Sequence, residues 1–141
     1  MLGTEMYREN VLDHYRSPRN KGTLAKPDIK RVGQNPLCGD EIEVTIKLDG
    51  KRIKDVKFKG SGCAISQASA SMLTEDIKGK PIGDIKKMER DDVVELLGVP
   101  ISATRMKCAM LALVVVKHGI MSYEGANVPK TTTEDTPGEG A

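Results

Sequence analysis

The sequence predicts an α+β fold in which helices cover a small antiparallel β-sheet. Three observations predict it. EIEVTIKL, residues 41–48, alternates Ile42, Val44, Ile46 and Leu48 with polar partners, the period of a strand with one buried face. Ile65, Ala68, Met72 and Ile77 then recur at helical spacing, and the apolar pattern from Ser102 to about Met121 marks a principal core helix. A helix, then strands, then a run of helices, with no internal repeat, gives this class rather than a parallel sheet.

Each element has its local signal. YRENVLDHY, residues 7–15, places Val11, Leu12 and Tyr15 near one helical face, and SPRN at 17–20 ends the pattern with a proline. Residues 21–37 hold several Gly and Pro, and the apolar positions from Ile29 to Val32 fit a short edge strand. After Leu48, Asp49-Gly50 offers a hairpin turn to Ile53, Val56 and Phe58. Gly60-Ser61-Gly62 precedes the next helix, which opens at Cys63 and is closed by Gly79-Lys80-Pro81. A short polar helix follows around Gly83 to Met88, then another from Asp91 to Leu97, with Asp91 as its cap and Gly98-Val99-Pro100 as its stop. Residues 1–128 form the domain, and PKTTTEDTPGEGA, residues 129–141, is expected to be a disordered tail.

The totals narrow the function classes. A chain of 141 residues fits one domain with a single core. Twenty-two Lys+Arg against twenty Asp+Glu leave a net charge of +2, and three Tyr, one Phe and no Trp supply no stacking platform, so nucleic acid is not an expected partner. The first ten residues lack the order of a signal peptide, and the longest apolar run, Leu111 to Val116, is too short for a bilayer. The expectation is a cytoplasmic protein with no membrane contact. Three widely spaced cysteines, an odd number, argue for reduced thiols rather than a disulfide framework.

Those cysteines all fall at element ends. Cys38 precedes a strand, Cys63 follows one and opens a helix, and Cys108 lies near the start of another, so the three could meet at one end of the sheet. Taken singly, each fits a small buried hydrophobe. Gly39 and Gly62 adjoin two of them, and the positive end of a helix starting near Ala64 favours a thiolate at Cys63, as Lys107 would at Cys108. Three thiolates and one carboxylate make four ligands, enough for tetrahedral zinc or for the protein ligands of a [2Fe-2S] cluster. Asp40 is the fourth candidate; on local grounds alone it equally fits a turn residue before the strand.

Other candidates have blander explanations. His14 and His118 lie on helices as surface or core-edge groups. Ser66, Ser69 and Ser71 lack the G-x-S-x-G elbow and fit helix packing. Met72, Met106 and Met110 fall on apolar helical stripes, and Lys51, Arg52, Lys54, Lys57 and Lys59 alternate with apolar positions as a solvated sheet face.

YRENVLDHYRSPRNKGTL, NPLCGDEIEV, GSGCAISQASASML and RMKCAML together resemble the U-type iron-sulfur cluster scaffold family, which includes IscU, SufU and the amino-terminal domain of NifU. The resemblance runs from about Met6 to Met121. It implies a SufE/NifU-like fold and a scaffold that is not itself an enzyme. Such a scaffold receives sulfur from a cysteine desulfurase, builds a [2Fe-2S] cluster at Cys38, Cys63 and Cys108 beside Asp40, and passes it to apo iron-sulfur proteins. The residue before the third cysteine, commonly histidine in IscU, is Lys107, an auxiliary candidate, and GVPISATRMKC lacks the segment IscU presents to its chaperone. Lys-Cys resembles SufU, for which the family implies Zn2+ at three cysteines and an aspartate, with persulfide accepted on Cys63 or Cys108. The short stretch between Gly79 and Cys108 resembles IscU. A cluster short of a fourth protein ligand could recruit one from a second copy, making a homo-oligomer.

Overall fold

The computed structural model describes residues 2–128 and 131–133, with side chains from Arg8 onward. Along the chain run α1 (Leu2–Arg16), β1 (Ile29–Asn35), β2 (Asp40–Asp49), β3 (Arg52–Ser61), α2 (Ala64–Ile77), α3 (Ile82–Lys86), α4 (Arg90–Leu97), α5 (Ala103–Tyr123) and β4 (Thr131–Thr132). The strands form one sheet in the order β3-β2-β1-β4, antiparallel except where β4 lies parallel to β1. This is the predicted α+β class.

The alternation in β2 and β3 decides which face is covered. Ile42, Val44 and Ile46 are buried together with Ile53, Val56 and Phe58. A buried aliphatic or aromatic side chain contributes roughly 1.5–3 kcal/mol by leaving water, so a one-residue slip of register would forfeit most of the core. Helix α5 packs on β1 and β2, α2 packs on β3 and α5, and α1 and α4 rest on α2. By length and composition α5 could cross a membrane, well beyond the short run weighed from sequence. Here Leu111, Leu113, Val115, Val116 and Ile120 are buried in the core instead.

The sheet departs from expectation along its outer strands. The segment expected as a short edge strand is an interior strand reaching Asn35, because Gly33 and Gln34 pair with Thr131 and Thr132. Arg31 Nε donates to Thr131 Oγ1 at 2.7 Å, and the Thr133 N–H donates to the Gln34 carbonyl at 3.0 Å. Gly33 permits this approach: a Cβ there would lie 2.5 Å from Val115 Cγ2 and 2.7 Å from Thr131 Cγ2. Two residues of the expected disordered tail are therefore held in the sheet and Thr133 is hydrogen-bonded to β1, while residues 129, 130 and 134–141 lie outside the described residues. On the other side, the chain at Asn20–Gly22 exchanges two backbone hydrogen bonds with Phe58, covering part of the β3 edge.

Two helix details also differ. The cap of α4 is Glu89, not Asp91, since Asp92 Oδ2 accepts from the Glu89 N–H at 2.8 Å; Gly98 ends the helix in a left-handed conformation with φ +70. On α1, Val11 turns inward with His14, whereas Tyr15 is exposed. His14 is tolerated inside because its Nδ1 lies 2.7 Å from Ser71 Oγ, a hydroxyl that also accepts from the Arg19 N–H at 2.8 Å. That pairing agrees with Ser71 as a packing residue.

Burial is the main reason that both His14 and His118 lose their protons more easily than a free imidazole; Arg19 adds to it at His14, Arg31 and Lys117 at His118. A histidine whose folded pKa is depressed supports the fold fully above its unfolded pKa and less as pH falls below it. The urea midpoint should therefore drop between pH ~6.5 and pH ~5, above the range where carboxylates titrate. A His14→Gln, His118→Gln double variant should flatten that slope, and an unchanged slope would contradict this assignment.

Candidate metal centre

Three element ends lie side by side at one rim of the sheet. Asn35 pairs with Asp40 across β1 and β2, and Glu41 pairs with Ser61 across β2 and β3. The β1–β2 connection, Pro36-Leu37-Cys38-Gly39, is turned by the N–H groups of Cys38 and Gly39, which reach the Asn35 carbonyl at 3.3 and 2.9 Å. Gly39 takes φ +74, left-handed backbone that glycine adopts without a Cβ penalty. The turn leaves Cys38 exposed.

Helix α2 enters from the same rim. Its cap, Cys63, makes no side-chain capping bond, but the Cys63 N–H donates to Asp40 Oδ1 at 2.9 Å. A carboxylate at a helix N-terminus is favoured by the helix dipole, typically by 0.3–1 kcal/mol. A Cβ on Gly62 would collide with that same oxygen, so glycine is required beside the cysteine. Cys108 comes from the second turn of α5 and is fully buried beneath the rim.

The expected residues converge unevenly. Cys108 Sγ lies 3.4 Å from Cys38 Sγ, and ligand atoms of Cys38, Asp40 and Cys108 all fall within 4.8 Å of one another. Cys63 stands outside that tight group, half-buried, and is close enough to help raise the pKa of Cys108. Exposure is thus graded from Cys38 at the rim, through Cys63, to Cys108 on the floor. Lys107 is half-buried beside Cys108 on α5.

Burial raises the pKa of Cys108, helped by hydrogen bonds with Cys38, Asp40 and Cys63, so the metal-free site keeps this thiol protonated. A metal bound there must displace that proton. The cation that senses the thiols is Arg105, one turn before Cys108 on α5. The interaction with Cys63 raises the pKa of its guanidinium further above the ordinary arginine value.

Two residues of this site carried little signal in the sequence. Arg105 sits three positions before Cys108, a helical spacing that could have flagged it. Asn35 reads as an ordinary residue before a proline turn, yet it is fully buried, and its Nδ2 donates both to Asp40 Oδ2 at 3.1 Å and to Cys108 Sγ at 3.4 Å. Among the described residues its Oδ1 has no hydrogen-bond partner. Other candidates lie elsewhere: His14 meets Ser71, and His118 meets Thr131 at 3.0 Å. Ser69 Oγ donates to the Ala109 carbonyl at 2.7 Å, and Met72 and Met110 fill the core.

The donor chemistry suits a soft metal with one hard ligand. Metal–sulfur bonds of about 2.3 Å in a tetrahedron imply sulfur–sulfur edges of roughly 3.8 Å, close to the Cys38–Cys108 spacing.

Comparison with known proteins follows the same line. The family model described as NifU-like N terminal domain matches residues 6–130. The chain belongs to that family. This NifU-like domain is 41% identical over 139 residues to the zinc-dependent sulfurtransferase SufU of Bacillus subtilis (strain 168), covering 86% of this chain and 94% of that protein. It is 40% identical over 118 residues to an iron-sulfur cluster assembly scaffold protein IscU of Archaeoglobus fulgidus, covering 84% of this chain and 76% of that one. The crystal structure of SufU from Fervidobacterium islandicum AW-1 superposes with a TM-score of 0.72 at 27% identity, covering 84% of this chain and 99% of that one. The amino-terminal NifU-like protein of Brucella abortus shares the fold at a TM-score of 0.71, with 21% identity, covering 87% and 97%.

The 3.4 Å approach of two thiols makes a prediction about the metal-free NifU-like domain. Mild air oxidation should join Cys38 to Cys108 in preference to any bond with Cys63, as read by peptide mapping without reduction. Predominant Cys63 linkages would contradict the grouping.

Proposed function

We propose that this chain is a scaffold on which a [2Fe-2S] cluster is assembled from iron and desulfurase-derived sulfur, then passed to apo-proteins. Cys38, Cys63, Cys108 and Asp40 hold that cargo. The observation that carries the reading is the convergence of Cys38, Cys108 and Asp40 within 4.8 Å, with Cys63 next to them rather than among them. Three clustered donors with a fourth cysteine beside them supply the four-ligand set that a cluster cargo requires, and the likeness to the IscU scaffold of Archaeoglobus fulgidus supports a cluster over a single ion.

The chain's own groups account for uptake and release. Cys108 anchors from the floor, where exchange with solvent is slow. Cys38, on an exposed turn, stands where a recipient thiol can reach the cargo. Asp40 supplies a hard oxygen in a thiolate set and so the ligand most easily exchanged. Among the candidate persulfide acceptors, exposure supports Cys63 over Cys108. In that transfer the Cys63 thiolate attacks the outer sulfur of the donor's persulfide, the donor's S–S bond breaks, and the donor leaves as a thiolate; Arg105 stands beside Cys63 to balance the charge.

A second reading, a zinc-bound sulfurtransferase, is supported by Lys107 in place of histidine and by the likeness to the Bacillus subtilis protein along 94% of its length. Both readings take sulfur from a cysteine desulfurase. They differ in whether sulfide stays on the chain.

Anaerobic reconstitution with ferrous iron, sulfide and a thiol reductant, followed by desalting, separates them. The scaffold reading expects iron and acid-labile sulfide retained in equal amounts; stoichiometric zinc with no retained sulfide would overturn it in favour of the second. In reconstituted protein, Asp40→Ala should lengthen the half-life of the cluster by roughly tenfold, the equivalent of about 1.4 kcal/mol. Equal or faster loss would reject Asp40 as the labile ligand.

A further inference from the structure

We infer that Asn35 is a positioning residue of this metal centre: one buried amide nitrogen gathers Asp40 and Cys108 and sets how tightly the loaded site holds its metal. The inference rests on the ligand set proposed above and extends it to a residue outside that set.

The geometry is specific to this orientation of the amide. Nδ2 has two hydrogens, and the two acceptors it meets, Asp40 Oδ2 and Cys108 Sγ, are candidate ligands carried by two separate elements, β2 and α5. Turning the amide over would set Oδ1 against a carboxylate and a sulfur. The chosen orientation leaves Oδ1 buried without a partner among the described residues, an arrangement that ordinarily costs stability. A native site keeps such a group only where the other end of the side chain compensates. Here that end donates to a carboxylate and to a sulfur that becomes a thiolate on metal binding, and hydrogen bonds to charged groups are worth roughly twice neutral ones.

Backbone register fixes the amide in place. Asn35 is the last residue of β1 and pairs with Asp40, and its own carbonyl accepts the two turn N–H groups of Cys38 and Gly39. Asn35 thus contacts the Cys38 turn through its backbone and two further ligands through its side chain. With Cys63 N–H on Oδ1 and Asn35 Nδ2 on Oδ2, each oxygen of Asp40 already has a donor. Those donors fix the carboxylate's direction while withdrawing charge from it, which suits a ligand that must also let go.

The test uses the full chain in parent form and as Asn35→Leu, Asn35→Ser and Asn35→Asp, loaded with Co2+ and then competed with Zn2+. Outer-shell partners of metal ligands typically change affinity by roughly 10–100-fold. Asn35→Leu and Asn35→Asp should lose affinity in that range, and Asn35→Ser, with one donor left, should fall between them and the parent. The thiolate-to-cobalt charge-transfer band should move to lower energy in the Leu and Asp variants, because an N–H donor lowers the sulfur lone pair. A purely structural role would not shift that band. Should Asn35→Leu fail to fold, the smaller Asn35→Ser variant carries the test. Equal affinity and an unmoved band in variants that fold would overturn the role of Asn35 while leaving the ligand set standing. A parent chain that binds no metal would overturn the ligand set itself, and this role with it.

Discussion

The hydrogen bond from the Cys63 N–H to Asp40 Oδ1 is the constraint on which the rim of this domain depends. It ties the first residue of β2 to the cap of α2, across the whole β2–β3 hairpin and 23 positions along the chain. Because that N–H belongs to the cap residue, the bond also satisfies one of the four donors a helix start leaves open. Gly62 is the condition for it, since any side chain there would occupy the carboxylate's place. With Asp40 held, Cys38 and Cys63 are fixed on either side of it, and only Cys108 must be delivered from elsewhere.

That delivery falls to the core. Helix α5 is buried along most of its length, and its position follows from packing on β1 and β2 and from Ser69 binding the carbonyl that follows Cys108. The site therefore combines a floor cysteine on the most deeply packed helix with a rim cysteine on an exposed turn. Under the proposed scaffold function, the floor cysteine would hold the cargo and the rim cysteine would offer access to it. The raised pKa of Cys108 belongs to the same design, because a metal-free floor thiol that stays protonated avoids a buried unpaired charge.

The sequence made much of this legible because strong periodicity and strong motifs coincide. The β2–β3 hairpin, α2 and α5 follow from apolar spacing, and the cysteines at their ends pointed to one rim before any contact was known. Asn35 was not legible, because its role depends on cross-strand register with Asp40, and an Asn before a proline turn has a sufficient local explanation. Thr131–Thr133 were missed for a related reason: three polar residues in a Gly- and Pro-containing tail carry no strand pattern, and their burial comes from Arg31, Gly33 and Gln34 on β1. On α1 the inward face was misassigned because a hydrophobicity pattern ranks Tyr above His. The partner that makes burial of His14 acceptable, Ser71, lies 57 positions away.

In the proposed site, three sulfurs and one carboxylate surround the metal this chain carries. X-ray absorption at the edge of the metal retained after anaerobic purification tests it most directly. Sulfur neighbours are expected at roughly 2.3 Å together with an oxygen at roughly 2.0–2.2 Å, the oxygen contribution disappearing in Asp40→Ala. A first shell of nitrogen and oxygen alone, or a sulfur shell unchanged when Cys38 and Cys108 are both replaced by serine, would contradict it.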